Sequence, residues 1–277
     1  LLAWDFTLND DFRLQTTFSY LGGESCYSAL DWHSAPNPMP DYYRYMPGYA
    51  ANPEVAAAVR EAWESRDPDV TQVNWDELYY VNRHGTATPA SYAVGGAVTA
   101  NRCFQFVSSF EYRMSGLNRL RGGVQIRNDR TSRYQRLEDL LGGDYLLNVD
   151  SYLIDDEYYG DKIQNDLQHP NRRVGGGERY GYDYDLDYSS YGAWVLADLH
   201  STREAGLYGY VGGRAAQVSF YRDGRYEKEL FPGGRSLGRS DRLSFTEYLL
   251  KGGIGYMFTP SHSIEVRVAY GDMAPVA

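Results

Sequence analysis

No run of apolar residues in this chain reaches the roughly 18 to 20 positions that a membrane-crossing helix requires, so a helical membrane protein is excluded. Mean hydropathy is -0.55, in keeping with that absence. Positive charge is also scarce. The 27 Lys and Arg are outnumbered by 37 Asp and Glu, giving a net charge of -10. A duplex nucleic-acid partner, which needs surplus cations to displace phosphate counterions, is therefore not expected. Cysteine is limited to Cys26 and Cys103. One disulfide or two free thiols are equally allowed. An initiator Met and a signal-peptide pattern are missing. The chain opens Leu1-Leu2-Ala3-Trp4 and stops at Met273-Ala274-Pro275-Val276-Ala277, which reads as a mature fragment or an excised part of something longer.

Aromatic residues are abundant: 27 Tyr, 10 Phe and 5 Trp in 277 residues. So many rings argue against low-complexity disorder. Tyr suits places where a ring meets apolar surroundings while its hydroxyl reaches water. Carbohydrate-binding faces, antibody-like loops and the interfacial girdles of transmembrane β-barrels all fit.

The dominant pattern has period 2. In Asp11–Tyr20, Phe12, Leu14, Thr16, Phe18 and Tyr20 alternate with Arg13, Gln15, Thr17 and Ser19, a strand with one apolar and one polar face. Phe104, Phe106, Phe110, Tyr112 and Met114 alternate in the same way with Gln105, Ser109, Glu111 and Arg113. Leu120, Val124 and Ile126 alternate with Arg121, Gln125 and Arg127. Near the end, Tyr248, Leu250, Ile254, Tyr256 and Phe258 face away from Lys251, and Ile264, Val266, Val268 and Tyr270 away from Glu265 and Arg267. Two segments are less clean. The alternation of 182–188 continues into a stretch, 191–199, that is apolar on both faces. In 206–220, Tyr208 and Tyr210 share a face with Arg214, which suggests a bulge or a strand leaving the apolar layer.

Punctuation between the strands is asymmetric. Hairpin turns are expected around Asn9-Asp10, Ser115-Gly116-Leu117-Asn118, Ser201–Gly206 and Thr259-Pro260-Ser261-His262. Long connections fall at about 22–101, 128–179 and 222–242. Short and long links thus alternate along eight candidate strands, as in a transmembrane barrel with short periplasmic turns and long outer loops. Charged residues facing lipid would cost about 2 to 4 kcal/mol at the bilayer midplane. Arg13, Gln15, Glu111, Arg113, Arg121, Gln125, Arg127, Lys251, Glu265 and Arg267 are therefore expected to face the lumen. There they either touch solute or plug, or pair across strands, as Glu111 and Arg121 would across a hairpin.

The long loops carry structure of their own. Asn52-Pro53-Glu54 supplies an N-cap, a first-position proline and an early acid, and Val55, Val59 and Trp63 follow at helical spacing, which predicts a helix over 53–65. Asn74-Trp75-Asp76-Glu77-Leu78 reads as a second helix start. Leu137–Leu141, ended by Gly142-Gly143, reads as a third.

The loops also carry a resemblance. Pro40-Asp41-Tyr42-Tyr43-Arg44-Tyr45-Met46-Pro47 followed by Asn74-Trp75-Asp76-Glu77-Leu78-Tyr79 resembles an outer loop of bacterial TonB-dependent outer-membrane receptors, of the type with a carboxypeptidase-regulatory-like domain ahead of the plug. Glu138-Asp139-Leu140-Leu141-Gly142-Gly143-Asp144-Tyr145, Gln164-Asn165-Asp166-Leu167, and Pro170-Asn171-Arg172-Arg173 leading to Gly181-Tyr182-Asp183-Tyr184 resemble the next loop. Phe220-Tyr221-Arg222-Asp223-Gly224 and Ser236-Leu237-Gly238 resemble the one after. The blocks run in family order over about 38–240.

The resemblance implies an all-β, antiparallel transmembrane β-barrel, of which this chain would be an eight-strand section of a probably 22-stranded whole, without plug or TonB box. It further implies energised nutrient uptake across the bacterial outer membrane. The partners it implies are membrane lipid, the TonB complex acting through segments ahead of this one, an unidentified solute and a surface lipoprotein. Two other readings fit the pattern. One is a small closed eight-stranded outer-membrane adhesin or anchor, since eight strands close around a side-chain-filled interior. The other is a soluble Tyr-rich sugar-binding β-protein, against which Phe104, Phe106 and Phe110 on one open face count.

Enzyme chemistry finds no support. His33, His84, His169, His200 and His262 lack metal-ligand spacing and are expected at the surface or in loops. Gly175-Gly176-Gly177 follows no strand in a βαβ setting and reads as a flexible loop. There is no Gly-x-Ser-x-Gly elbow, and no cofactor is expected. Asp183, Asp185 and Asp187 share a strand face about 7 Å apart. They are a weak calcium candidate, or else an acidic rim tolerated through water and Arg172 or Arg173. Tyr42, Tyr43, Tyr45, Trp75 and Tyr79 are the candidate solute contacts of the outer loops. The loop tyrosines, with Tyr80, could instead pack the loop on itself.

Overall fold

The computed structural model describes residues 1–84, 89–154, 156–201, 206–259 and 261–275. In chain order the elements are β1 (Leu2–Asn9), β2 (Phe12–Trp32), α1 (Pro53–Ser65), α2 (Pro68–Thr71), α3 (Trp75–His84), β3 (Tyr92–Ser115), β4 (Asn118–Asp139), β5 (Leu146–Leu147), β6 (Arg173–Val174), β7 (Arg179–His200), β8 (Leu207–Gly224), β9 (Gly238–Arg239), β10 (Leu243–Thr259) and β11 (His262–Asp272). Eight long strands form one antiparallel sheet in the order β1-β2-β3-β4-β7-β8-β10-β11, so every strand pairs with its sequence neighbour. An up-and-down order of this kind puts all short turns at one end and all long connections at the other. The expected alternation of links is borne out. Asn9 shows how such a turn is set: its Oδ1 accepts from Asp11 N at 3.0 Å and Phe12 N at 2.8 Å. Residues 202–205 and Pro260 of two other expected turns lie outside the described residues, as do residues 85–88 and the terminal Val276 and Ala277.

Cross-strand partners in an antiparallel pair share a face, so the register sorts the side chains. One row runs Phe6, Leu14, Phe110, Gly122, Val195, Gly213, Leu250, Tyr270. The next runs Trp4, Thr16, Ser108, Val124, Ala193, Ala215, Tyr248. Phe18, Val124, Tyr191, Val195, Val211, Leu250, Ile254, Val266, Val268 and Tyr270, all on this face, are exposed. The band is lined by rings at its margins: Tyr20, Phe104 and Tyr191 toward the long loops, Tyr112, Tyr256 and Phe258 toward the turns. From Tyr248 to Phe258 it measures about 33 Å along the strand. The opposite face carries all ten polar residues singled out above. The sheet therefore has one apolar and one polar side, as the alternation predicts.

Several expectations need correction. The strands outrun the apolar band, and the long connections are 33–91, 140–178 and 225–242 rather than 22–101, 128–179 and 222–242. Backbone pairing continues where alternation stops, because β2 and β3 stay in register as far as Trp32 and Tyr92. No bulge occurs in β8, whose register with β7 and β10 is unbroken. Tyr208, Tyr210 and Arg214 all lie on the polar side, and Leu207 and Val211, with glycines between, carry the apolar side. The third helix does not form. Leu137 pairs with Gly95 and is fully buried, so tertiary burial overrides a helical motif of five residues. The other two helices are present, with Asn52 Oδ1 accepting from Glu54 N at 2.8 Å and Asn74 Oδ1 from Glu77 N at 3.1 Å. Gly175–Gly177 form a turn pinned to β4, Gly177 N donating to Leu137 O at 2.7 Å. Both cysteines are free thiols. The register sets Cys26 on the apolar side and Cys103 on the polar side, so they cannot bond.

Burial is concentrated at the rim and not in the wall. Ala90, Ala93, Leu137, Leu146, Val174 and Tyr180 form one cluster, and Leu78, Tyr92 and Leu141 a second. These join the first two long loops to the upper ends of β3, β4 and β7. Buried Asn82 of α3 ties the junction. Its Nδ2 donates to Tyr92 O at 2.8 Å and Leu140 O at 2.9 Å, and its Oδ1 accepts from Ser91 N and Tyr92 N. Nδ2 also lies 3.3 Å from Leu141 O, so five backbone groups are satisfied by one side chain.

Candidate functional site

The rim holds a cavity of about 370 Å³, within the range typical of small-molecule pockets. Its floor is the polar side of the wall above the apolar band: Tyr27, Ala29 and Asp31 of β2, Gly95 and Ala97 of β3, Gln135 of β4, and Tyr180 and Tyr182 of β7. Its roof is the second long loop, with Asp150, Ser151, Tyr152 and Asn165, closed by Lys228 from the third. Small residues at 29, 95 and 97 open the space. Gly95 is required there, since a Cβ would collide with the Tyr180 hydroxyl.

The floor is a fixed polar network. Tyr180 Oη donates to Asp31 Oδ2 at 2.9 Å and accepts from Gln135 Nε2 at 2.8 Å. His33 Nε2 stands 3.6 Å from Asp31 Oδ1. Burial alone would raise the Asp31 pKa, but the hydrogen bond and charge of His33, with the Tyr180 hydroxyl, outweigh it and hold the carboxyl below its usual range. The Tyr180 phenol is pushed well up, by burial first and then by the charge of Asp31. His33 opens the first long loop, as a loop histidine was expected to, but it is inward-facing: its side chain is 12% exposed, and its buried Nδ1 has no hydrogen-bond partner.

The roof is held by backbone bonds. Asp150 N donates to Ile163 O at 2.7 Å, and Ser151 Oγ donates to Trp32 O at 3.1 Å, fastening the loop to β2. Leu167 N donates to Glu227 O at 2.7 Å and Glu229 N to Gln164 O at 2.9 Å, so the third loop docks along the second and carries Lys228 over the cavity. Burial pulls the Lys228 ammonium below its usual pKa, and Asp150 partly offsets this. Among the described residues no carboxylate forms an ion pair with it.

The five loop aromatics do not converge on one site. Tyr42 packs edge-on against Tyr43 and Tyr45 at 4.8 and 5.2 Å, and Tyr43 against Tyr49 at 5.4 Å. Trp75 lines a separate shallow hollow with Met39, Pro40 and Trp63. Tyr79 lies under the Arg83 guanidinium beside Gly142. Self-packing describes the Tyr42–Tyr49 group.

The polar-side charges largely pair with one another, by other partners than expected. Glu111 takes Arg119 at 3.6 Å, and Arg121 takes Asp198 at 2.5 Å. Glu111 and Arg121 are opposite in register but tied elsewhere. Arg13 reaches Asp5, Arg127 reaches Asp129, and Arg267 reaches Glu265.

The three aspartates of β7 are held by arginines. They lie on the apolar side, above the band, with arginines on their oxygens. Arg130 donates to both oxygens of Asp187 at 3.0 and 3.1 Å. Arg225 bridges Asp183 and Asp185 at 2.9 and 2.8 Å, and Arg179 also reaches Asp183. Arg172 and Arg173 are engaged elsewhere, on Tyr226 and Tyr145. Among the described residues no group of three or more His, Cys, Asp or Glu is arranged to hold a metal.

No protein-family model matches the chain, and no curated protein does. A solved structure does: the ferric-catecholate import receptor Fiu from E. coli K12, in its open form. The TM-score is 0.52 at 11% identity, over 96% of this chain and 34% of that one. At this identity the likeness is one of fold. The chain spans about a third of that receptor's length, and what the two share is an all-β antiparallel sheet.

Sequence reading assigned none of the converging residues to a common site, although His33, Asn165 and Tyr182 were named for other reasons. Asp31, His33, Tyr180 and Lys228 lie far apart in the chain and belong to no motif. Lys228 on a polar loop gives no periodic signal.

Proposed function

We propose that this chain is part of the β-barrel of a TonB-dependent receptor in a bacterial outer membrane, supplying wall and extracellular loops for energised uptake of a nutrient. The observation that carries the proposal is the exposed apolar band on one side of a sheet whose other side is charged. Its length of about 33 Å along the strand becomes about 25 Å at a tilt near 40°, the height of the lipid-facing band of outer-membrane barrels. Exposed Leu, Ile and Val in such numbers would be a large aggregation surface in water. In lipid they are at home.

The sheet is open. Among the described residues β1 and β11 do not pair, and β2 runs from Ser19 to Trp32 beyond the reach of β1. Long unpaired edges invite uncontrolled strand addition, which a closed barrel abolishes. The open edges favour further strands in a larger barrel, of about 22 in all, over a closed eight-stranded adhesin or anchor. In this reading the ten polar-side residues face a lumen that holds a plug, and TonB acts through segments outside this one. A surface lipoprotein would meet the outer loops. The segments that carry the family resemblance support the reading by where they fold. Asn165 and Tyr182 line the cavity, Leu140 and Leu141 pack at the rim, and Ser236 Oγ receives Lys228 N at 2.8 Å.

The test is the mass of the native polypeptide containing this sequence in detergent-extracted outer membranes. A chain several-fold heavier than 31.5 kDa is expected. One near 31.5 kDa, or a protein absent from the membrane fraction, refutes the receptor.

A further inference from the structure

Two side chains of the rim cavity are left without a task by the packing around them. Asn165 lines the cavity and is 3% exposed, and among the described residues its carboxamide has no hydrogen-bond partner. That group offers two donors and an acceptor oxygen, and burying them unmet is unfavourable. Tyr27 is the other. On β2 it stands opposite Ala97, which is itself opposite Gln135, so the residue beside the ring on its own face is small. The ring is 77% exposed, and among the described residues it stacks on no other aromatic. It forms a bare platform at the margin of the cavity. The charges of the lining, by contrast, have partners or opposites close by. Asp31 is met by the Tyr180 hydroxyl at 2.9 Å, by Gln135 Nε2 at 3.5 Å and by His33 Nε2 at 3.6 Å. Asp150 shares the roof with Lys228. Two carboxylates against one lysine leave no surplus cation for an anion, and Lys228 in turn opposes an incoming cation.

We propose that this cavity binds an uncharged sugar, one ring of which lies on Tyr27 while its hydroxyls meet Asn165. A pyranose has a face of C–H bonds that packs on an aromatic ring, and hydroxyls that both donate and accept. The carboxamide of Asn165 matches such a hydroxyl pair with a donor and an acceptor. Asp150 accepts from Tyr152 N through Oδ1 at 3.2 Å, which leaves Oδ2 to accept from a further hydroxyl. A wholly apolar ligand would strand these polar groups, and a charged one would add an unanswered charge to a lining already balanced. The volume of about 370 Å³ suits a single sugar or the end of a longer chain. The inference rests on the receptor reading for the cavity's access to solute, but the pocket chemistry is tested independently of transport.

The full receptor in detergent is titrated in a calorimeter with D-glucose, D-galactose, D-mannose and N-acetyl-D-glucosamine, and with two charged relatives, D-glucuronate and D-glucosamine. At least one of the four neutral sugars binds at a single site, and both charged relatives bind at least about tenfold more weakly. Asn165→Leu weakens binding of that sugar about 5- to 100-fold. Tyr27→Ala weakens it about 2- to 10-fold, and Tyr27→Phe, which keeps the ring, restores most of the loss. Ala97→Leu fills the space beside Tyr27 and abolishes binding. Resistance of the barrel to heat in detergent stays unchanged in all four variants. Binding of none of the neutral sugars, equal or tighter binding of either charged relative, or full affinity in Ala97→Leu overturns the proposal. A heat-resistant barrel of receptor mass that binds no sugar sinks the ligand inference alone, and the receptor reading stands.

Discussion

Adjacent residues on β4 offer a direct test of which side meets lipid. Val124 lies in the apolar row with Ala193, Ala215 and Tyr248, and it is 45% exposed. Gln125 is its neighbour on the polar side, in register with Val107 and Gly192. Val124→Arg and Gln125→Arg introduce the same charge one residue apart. If the apolar side faces water, Val124→Arg is a substitution at a half-open surface site and falls within about 0.5 kcal/mol. If it faces the bilayer near its midplane, the cost is about 2 to 4 kcal/mol, or roughly 30- to 800-fold in the folding equilibrium. Gln125→Arg should stay within about 0.5 kcal/mol in either case. The assay is denaturant unfolding of the full receptor in phospholipid vesicles, followed by the gel shift that distinguishes folded from unfolded barrels. A loss of at least about 2 kcal/mol confined to Val124→Arg is expected. Two variants that behave alike would refute the transmembrane orientation, whatever the topology.

Three further outcomes follow from the rim. Arg225→Ala removes the bridge between Asp183 and Asp185, which are 6% and 4% exposed. Because Arg179 and Ser132 still serve these carboxylates and Arg225 is itself half exposed, the loss should be about 1 to 3 kcal/mol, below the full value for a broken buried pair; thermal unfolding reads it. Gly95→Ala drives a methyl into the Tyr180 hydroxyl and should destabilise the rim by about 1 to 3 kcal/mol, read as faster proteolysis of the second loop, with wild-type rates counting against the network. The Asp31 carboxyl is held below its usual pKa, so its contribution is fully present above the unfolded value near 3.9 and is lost as pH falls through the lower folded value. Limited proteolysis of the second loop should therefore be unchanged between pH 7 and about pH 5 and rise only below about pH 4, and Asp31→Asn should remove that acid limb.

The wall was legible in the sequence because a strand writes its two faces in alternate letters and the solvents on those faces differ. Phe12 to Tyr20 and Ile264 to Tyr270 announce themselves, and the register confirms every polar position assigned from them. Legibility stops at the end of the apolar band. Beyond Tyr20 both faces of β2 meet polar surroundings, so alternation carries no information although the backbone ladder continues to Trp32. The same reasoning explains β8. Gly209, Gly213 and Ala215 hold the apolar side with almost no side chain, and the eye follows Tyr208 and Tyr210, which belong to the other face. Leu137–Leu141 failed for a further reason: a five-residue motif cannot outweigh a complete strand partner and a buried Leu137.

The cavity was illegible because no local rule builds it. Asp31 and Tyr180 meet across 149 positions of chain, and what brings them together is the neighbour-to-neighbour order of four strands, β2 through β7. Placing a cavity there, above the apolar band and roofed by loops, separates two demands on the same strands. The lower part of each strand carries one apolar and one polar face, and its sequence is bound to alternate. The upper part is free of that demand, and it can spend positions such as Ala29, Gly95 and Ala97 on making space. That division also explains the burial. The wall has no core of its own, so the order of the loops rests on the rim clusters around Leu137 and Tyr92 and on the single amide of Asn82. Loss of that amide should release the first loop while leaving the wall intact. In Asn82→Ala, the amides of Ser91 and Tyr92 and the carbonyl of Leu140 lose their partner together. The expected result is rapid cleavage within 33–91 with the heat-resistant barrel retained. Loss of the barrel as well would show that rim and wall fold as one cooperative unit.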